Sequence, residues 1–363
     1  MATANEYGLG PHTFPRGWFV VAESHEINDG PIGVRYFGRD LALYRGESGK
    51  PVLLDAYCKH MGTHLAQNRS AMIVMEGNHI EGDSIRCPYH GWRYNAEGDV
   101  DDIPYHDGPC PKSASIRSYP VVDNMGCIMA WFDEEGGGPD YPAPGLEQWQ
   151  DAQWIHWELD HLPELEIHPQ EVLDNMADMR HLGPTHGAPS QYFENEIRDH
   201  ILIQRQGGPM TLYGGVMLYT TTWYTGPGLL LSKQVWGDTV QFEMIANTPV
   251  EDGKIRAWHA CLVKAEQADI TDADIERARQ TQAGALEAFS KDFEIWTHKS
   301  PAIKPMAMKS EGPFLKCRQW YGQFYSPRDL AAGVQQTLNG IYHIPNVPTP
   351  TDSGHAIDDG LPI

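Results

Sequence analysis

Between Gly17 and about Phe132 the hydrophobic positions come in short runs, GWFVVAE, VRYFG, LALYR, PVLLDAY and GCIMAWF, separated by Gly, Pro and Asp. Runs of this length, rich in β-branched and aromatic residues between turn formers, predict strands, and the stretch as a whole predicts an all-β domain. DEEGGGPDYPAPG, Asp133 to Gly145, has no apolar period and reads as a linker. Beyond it Leu173, Met176, Met179 and Leu182 recur at helical spacing and predict a helix from about Pro169 to Leu182. Aromatic β-rich runs, MLYTTTWY, LLLSKQVW and IRAWHACLV, fill about Phe193 to Lys264. A long helix follows, opened by a capping-box-like pair, Thr271 and Asp274, and continued by Ile275, Ala278, Gln282, Ala285, Phe289, Phe293 and Trp296. The expectation is an α+β chain with domains at 1–145 and 146–363 and loose arms at both termini.

Composition narrows the function classes. The 363 residues exceed the size at which single cores stop growing, which supports two domains. With 49 acidic against 27 basic side chains the formal charge is -22, a field that repels phosphate backbones and anionic lipid. No nucleic-acid partner and no membrane partner are expected. The N-terminus has neither a basic start nor an apolar run, so a cytoplasmic location is expected. Six cysteines are too sparse for a disulfide scaffold, and two of them stand beside histidines.

Those two are in AYCKHMG and RCPYHGW, which set Cys58 and His60, then Cys87 and His90, on two candidate hairpin loops. Two thiolates on one iron and two imidazoles on the other are the ligands of a Rieske [2Fe-2S] cluster. A structural Cys2His2 zinc site uses the same residue types, but a zinc finger pairs its histidines with each other on a helix, whereas here each His is paired with a Cys. His64 and His79 lack a paired Cys and are read as non-ligands. The segment Asn68 to Ser84 makes the gap between the pairs long and reads as a loop extension.

A second constellation lies in LDNMADMRHLGPTH. On an ideal helix Asn175, Asp178 and His181, three residues apart, share a face, and Gly183-Pro184 would break the helix and fold His186 back toward His181. Two imidazoles and one carboxylate would make the facial triad of a mononuclear Fe(II) oxygenase. In the late helix Asp292 shares the apolar face of Phe289 and Trp296, which makes it either that carboxylate or half of a buried salt bridge to an arginine. Asn175 and Asp178 are the candidate catalytic residues beside the metal. A carboxylate at 178 is suited to accept the free N–H of a metal-bound imidazole. Met217, Tyr219, Trp223, Tyr224, Trp236, Phe242 and Trp258 are candidates for a pocket wall.

These motifs resemble the oxygenase components of Rieske non-haem iron oxygenases, and within them the 3-ketosteroid 9α-hydroxylase oxygenase group. LDAYCKHMGTHLAQ and CPYHGWRYNAEGDVDDIPY resemble its cluster loops, LDNMADMRHLGPTH its iron helix, and FSKDFEIW with GPFLKCRQWYGQFY its C-terminal region. The resemblance implies Cys58, His60, Cys87 and His90 as cluster ligands, and His181, His186 and Asp292 as ligands of Fe(II). It also implies a helix-grip catalytic domain, a homotrimer in which Asp178 faces His90 of a neighbouring subunit, and a separate NADH-dependent flavin/iron-sulfur reductase. The chain has no nicotinamide-binding glycine fingerprint, which independently calls for an external electron donor. The expected activity is hydroxylation of a small apolar, steroid-like substrate with dioxygen. Ring hydroxylation or O- or N-demethylation is the alternative within the superfamily, and a Rieske electron carrier the alternative outside it.

Overall fold

A computed structural model describes residues 1–211, 214–267 and 269–350. The chain forms two compact units, Phe19–Phe132 with Gly136–Ala143, and Met1–Trp18 with Asp133–Glu135 and the chain from Pro144 onward. The N-terminal arm, expected with the first domain, packs with the second unit. Nor is that arm loose. Helix α1, Ala4–Tyr7, opens on a Thr3–Glu6 capping box, and the N–H groups of His12 and Arg16 donate to the carbonyls of Tyr325 and Phe324 at 3.1 and 2.8 Å. Gly10 lies so close to this segment that a Cβ would stand 2.2 Å from the Tyr325 carbonyl oxygen. The arm expected at the C-terminus, from residue 351, lies outside the described residues.

The first unit is all β apart from short helical turns. Its elements are β1 Gly17–Glu23, β2 Ile32–Tyr36, β3 Arg39–Arg45, β4 Pro51–Asp55, helix α2 Met72–Met75, β5 Ile80–Glu81, β6 Ser84–Arg86, β7 Arg93–Tyr94, β8 Val100–Asp102, β9 Ser118–Tyr119, β10 Val121–Asn124 and β11 Cys127–Phe132. They make three sheets, in the orders β1-β11-β10, β2-β3-β4-β9 and β5-β6-β7-β8. The last carries a charge lattice that fixes its turns: Arg86 pairs with Glu81 and Asp102, each at 2.6 Å, and Arg93 with Glu81 at 2.9 Å and Asp101 at 2.7 Å. The Asn68 to Ser84 segment supplies α2 and β5. Its buried His79 binds the Leu65 carbonyl oxygen through Nε2 at 2.8 Å, so the extension is tied back to the loop it lengthens.

The second unit contains β12 Trp154–Ile155, β13 Asp160–His161, α3 Pro169–Asp174, α4 Leu182–His186, β14 Tyr192–Arg198, β15 Ile201–Met210, β16 Val216–Thr225, β17 Leu229–Trp236, β18 Thr239–Glu251, β19 Lys254–Lys264, α5 Asp272–His298, α6 Phe314–Gly322, α7 Arg328–Leu338 and β20 Gly340–His343. Hairpins join β14 to β19 into an antiparallel meander, with β20 on one edge and β12 and β13 on the other. Helix α5 begins where the Thr271–Asp274 capping box places it. Its Phe289, Phe293 and Trp296 bury against Ile255 and Ala257 of β19, and each such side chain contributes about 2–3 kcal/mol when removed from water. A long helix held against an antiparallel sheet is the expected helix-grip arrangement, and the chain is α+β.

One local expectation fails. The helix predicted for Pro169 to Leu182 ends at Asp174, and Asn175 to Asp178 tighten into turns whose N–H groups bond three residues back. The break comes from the far side of the sequence. Gly312 approaches so closely that a Cβ there would meet the Ala177 carbonyl oxygen at 1.6 Å, and Met179 N–H donates to the Glu311 carbonyl at 3.1 Å. Gly183 and Pro184, expected to break a helix, sit instead in the first turn of α4, where a missing proline N–H costs nothing.

Candidate functional site

In the first unit two loops share one backbone frame. The carbonyl of Cys58 accepts from Gly62 N–H at 2.9 Å, and that of Cys87 from Gly91 N–H at 3.0 Å. Cys58 N–H donates to Thr63 O and Cys87 N–H to Trp92 O, again the same step along each loop. Both glycines have positive φ, +72° and +75°, a conformation that side-chain-bearing residues rarely adopt. The frame turns both thiols inward and leaves His60 exposed and His90 half-buried. His60 stacks on Trp92 with ring centroids 4.7 Å apart and meets His90 edge-on at 4.5 Å.

The spatial pairing thus differs from the sequence pairing: sulfur stands with sulfur and imidazole with imidazole. Cys58 and Cys87 share a hydrogen bond between their side chains, which pulls Cys58 down to about 6 and, with burial, pushes Cys87 up. Tyr94 OH also donates to Cys58 Sγ, at 3.2 Å. Two thiols sharing one proton, beside two imidazoles at the surface, fit a cluster with sulfur on one iron and nitrogen on the other. A single zinc would need all four donors around one point. Among the described residues no three of these four offer donor atoms that all lie within 4.8 Å of one another. His64 and His79 take no part: His64 Nδ1 accepts from the N–H groups of Ala66 and Gln67, and His79 is committed to Leu65.

In the second unit His181, His186 and Asp292 each offer a donor atom, and the three lie within 4.8 Å of one another. His181 caps the start of α4 and His186 ends it, so one short helix turn presents both rings, with centroids 5.3 Å apart. Asp292 comes from α5, is 7 % exposed, and approaches His186 Nε2 at 3.3 Å. The arginine partner that would make it a structural ion pair is not what it faces. Burial holds the His181 imidazole below its ordinary range, in the neutral form that ligates metals. The residues fit a facial triad, two imidazole nitrogens and one carboxylate oxygen with room for further ligands.

Asp178 is oriented differently from the expectation. His181 Nδ1 bonds to the Asp178 main-chain carbonyl at 2.6 Å, while the Asp178 carboxylate oxygen Oδ2 stands 3.8 Å from that nitrogen. The carboxylate instead accepts the N–H groups of Arg180 and His181 through Oδ1 at 2.9 and 3.2 Å. Orientation of the ring therefore comes from backbone, and the Asp178 side chain remains 30% exposed. Asn175 lines the cavity above the triad and its carbonyl accepts from Gln204.

That cavity, about 710 Å³, lies between α4, one face of the sheet and α5. Its helical wall runs from Arg277 to Asp292, fifteen residue steps or about 22 Å at the helical rise, and small residues, Gly284, Ala285 and Ala288, keep it open. Of the seven wall candidates only Trp236 lines it. Strand side chains alternate between faces, and in β16 the cavity takes Val216, Leu218, Thr220 and Thr222, leaving Met217, Tyr219 and Trp223 on the other side. The alternation is visible in the chain; the bulk of the aromatic residues points to the wrong phase.

Register sets two polar rows across the cavity face. Gln204, Thr222, Ser232 and Glu243 are successive cross-strand partners on β15 to β18, and Gln206, Thr220, Gln234 and Gln241 make the next row. Beside them His259, fully buried, joins Asp160 Oδ2 through Nδ1 at 2.7 Å and Glu243 Oε1 through Nε2 at 3.0 Å. Burial opposes its charge, but the hydrogen bonds to Asp160, Cys261 and Glu243 outweigh that and push it up to about 11. Replacing His259 by leucine leaves two carboxylates without their cation and is expected to cost about 3–5 kcal/mol. A folded value above the ordinary 6.5 means that this stabilisation is complete below that pH and is lost as pH rises toward about 11. The urea-midpoint gap between wild type and His259→Leu should therefore be largest near pH 6 and shrink by pH 10; a pH-independent gap contradicts the assignment.

Residues 17–120 match the Rieske [2Fe-2S] domain, and residues 130–325 match the 3-ketosteroid 9alpha-hydroxylase C-terminal domain. A 3-ketosteroid-9-alpha-monooxygenase oxygenase component of Rhodococcus rhodochrous is 31% identical over 94% of this chain and 90% of its own length. A cholesterol 7-desaturase of Caenorhabditis elegans is 27% identical over 89% and 80%. Among solved structures, a Pseudomonas putida CBB5 NdmA mutant with caffeine superposes with a TM-score of 0.67 at 14% identity over 93% of this chain and 97% of that one. Dicamba monooxygenase does so at 0.64 and 17%, over 85% and 97%. The two matched domains occupy the units that carry the Cys-His pairs and the His-His-Asp group, and the chain belongs to the 3-ketosteroid 9α-hydroxylase family of Rieske oxygenase components.

Proposed function

We propose that this oxygenase component holds a [2Fe-2S] cluster on Cys58, His60, Cys87 and His90 and Fe(II) on His181, His186 and Asp292, and hydroxylates an elongated apolar molecule of the steroid class. The observation that carries the reading is the three-donor group opening on a long cavity. When bound, the cluster supplies electrons and the mononuclear iron activates dioxygen. The chain's own residues do the rest. The Asp178 carbonyl fixes the His181 ring; α5 holds Asp292 at the cavity floor; Leu230, Ile245 and Phe289 present apolar surface beside it and exclude water from the reacting carbon. The cavity's length suits fused rings better than one aromatic ring, and relatives named for 3-ketosteroids and cholesterol point the same way.

Reducing equivalents come, in this reading, from a separate NADH-dependent flavin/iron-sulfur reductase, since no glycine fingerprint for a nicotinamide occurs in the chain. All six cysteines are free, in keeping with a reducing, cytoplasmic compartment. Among the described residues no helix is long and apolar enough to cross a membrane. Screening steroids, aromatic acids and methoxylated compounds with a surrogate reductase, scored by product and coupled oxygen uptake, tests the reading. Turnover of small aromatic acids without steroid oxidation would contradict it.

A homotrimer is part of the same proposal, with Oδ2 of the half-buried Asp178 meeting His90 of a neighbouring subunit. Because backbone rather than the carboxylate orients His181, Asp178→Asn should leave both metal contents and the assembly unchanged. It should slow single-turnover oxidation of the reduced cluster by about ten- to a hundredfold, the usual cost of an outer hydrogen-bond partner. A normal rate in that variant would make Asp178 a cap for the Arg180 and His181 amides and nothing more.

A further inference from the structure

The polar rows on the sheet are mostly satisfied within themselves. Thr222 and Ser232 hydroxyls bond each other at 2.8 Å, Gln204 donates to the Met176 carbonyl at 3.0 Å, and Gln206 accepts from Ser190. Two atoms are not. Thr220 Oγ1 and Gln241 Oε1 are buried and have no partner, on side chains only 7 % and 3 % exposed that both line the cavity. Unmet buried polar atoms are uncommon and mark groups awaiting a ligand or water.

The direction of the Gln241 amide is fixed by a chain of donors. His259, charged between two carboxylates, occupies Glu243 Oε1, and an ionised carboxylate only accepts. Gln234 must therefore give its amide hydrogens to Glu243 Oε2, at 2.6 Å. That turns the Gln234 oxygen toward Gln241, whose Nε2 donates to it at 2.7 Å. The oxygen of Gln241, a residue that lines the cavity, is left without a donor and accepts only. Flipping it would set two oxygens or two amides against each other along the row.

Its level in the cavity is also set. Gln241 is the register partner of Val263, and Val263 and Cys261 pack on Ala278 of α5 while Cys261 N–H donates to Gln282 Oε1 at 3.0 Å. Ala278 and Gln282 precede Asp292 by fourteen and ten residues, about 15–21 Å of helix. The unmet acceptor thus lies far from the His-His-Asp group. Arg277, on the same helix, is committed to Glu266 and Asp274 at 2.8 Å each, so it offers no cation for a carboxylate there.

We infer that the substrate carries a hydroxyl group at the end remote from the metal-binding triad, and that this hydroxyl donates to Gln241 Oε1. The inference rests on the cavity being the oxygenase substrate site. A ketone at that position would bring a second acceptor against the first and leave Gln241 Oε1 buried without a donor. A carboxylate would add charge beside Glu243. Thr220, whose hydroxyl rotates, can either give or accept and does not discriminate. Gln241 is therefore a specificity-determining residue that tells alcohols from ketones.

The test measures equilibrium dissociation constants for the metal-loaded full chain and its Gln241→Leu and Gln234→Leu variants. The probes are steroids identical except for hydroxyl, ketone or hydrogen at C17, a second set varied in the same way at C3, and in parallel terphenyls bearing 4-hydroxyl, 4-acetyl or hydrogen. In one steroid set the wild type should bind the alcohol at least about tenfold more tightly than the ketone, and the ratio should fall to within about threefold in both variants. Gln234→Leu keeps the Gln241 side chain and removes what orients it, so it remains informative if Gln241→Leu does not fold. Equal binding of alcohol and ketone in the wild type, or an undiminished ratio in a folded Gln241→Leu protein, overturns the inference. Alcohol preference among terphenyls with no steroid binding contradicts the steroid reading and leaves the Gln241 assignment standing. Failure of every probe to bind counts against both.

Discussion

Cys87→Ala is expected to bleach the protein, and His181→Ala is expected to leave its colour untouched. The two residues lie in different units and in frames that share no residue. Cys87 is buried, hydrogen-bonded to Cys58, and held by a loop whose Arg86 also donates to the Gly91 carbonyl at 3.0 Å. Removing its thiolate leaves one iron of the cluster with a single protein ligand, so absorption and the reduced electron-paramagnetic signal should both vanish. His181→Ala keeps that entire loop pair and removes one of three donors in the other unit. The Rieske spectrum should persist at wild-type intensity, while mononuclear iron and turnover fall by at least about a thousandfold, beyond the ten- to hundredfold typical of outer partners. Paired spectra and metal contents check both halves. A colourless His181 variant, or one with full iron and activity, contradicts the separation.

Asp292→Ala carries the second large effect and separates the two roles open to a buried carboxylate. If the residue were half of an ion pair with an arginine, its loss would strand a buried cation and cost several kcal/mol of stability. Its neighbour is instead His186 at 3.3 Å, an imidazole that is uncharged when it binds a metal. The variant should therefore fold with a Tm close to that of the metal-free wild type. Iron affinity should drop by more than about a hundredfold, with residual iron retained by two histidines, and turnover should be lost. Calorimetry of the metal-free proteins beside iron titration makes the comparison. Unfolding of the variant with iron affinity unchanged among surviving molecules would return Asp292 to a structural role.

The chemistry of the site is legible in the sequence because it rests on residue types that seldom gather by chance. Cys58 with His60 and Cys87 with His90 carry their meaning in identity and spacing. The Thr271–Asp274 box, followed by an apolar face at steps of three and four residues, is enough to turn Asp292 inward. Features made by backbone are not legible. The helix ends at Asp174 because Gly312, distant in sequence, presses on the Ala177 carbonyl, and no local propensity announces that. The Asp178 carbonyl, which any residue would supply, orients His181. The cavity wall escapes the sequence for a related reason. Period-2 strands give two equivalent phases, and the choice between Leu218, Thr220 and Thr222 on one side and Tyr219 and Trp223 on the other is settled by which face the helices cover. Burial of the large aromatics in the opposite layer then follows from their size, not from a ligand.

The central claim is that one chain carries two metal centres, a cluster and a separate mononuclear iron. It is tested most directly by iron and acid-labile sulfide per chain in protein reconstituted under anaerobic conditions, wild type beside His181→Ala. The account predicts about three irons and two sulfides in the wild type, and about two of each in the variant, with the spectrum of the cluster unchanged. Two irons and two sulfides in both proteins would leave a Rieske electron carrier with an inert His-His-Asp pocket, and would contradict it.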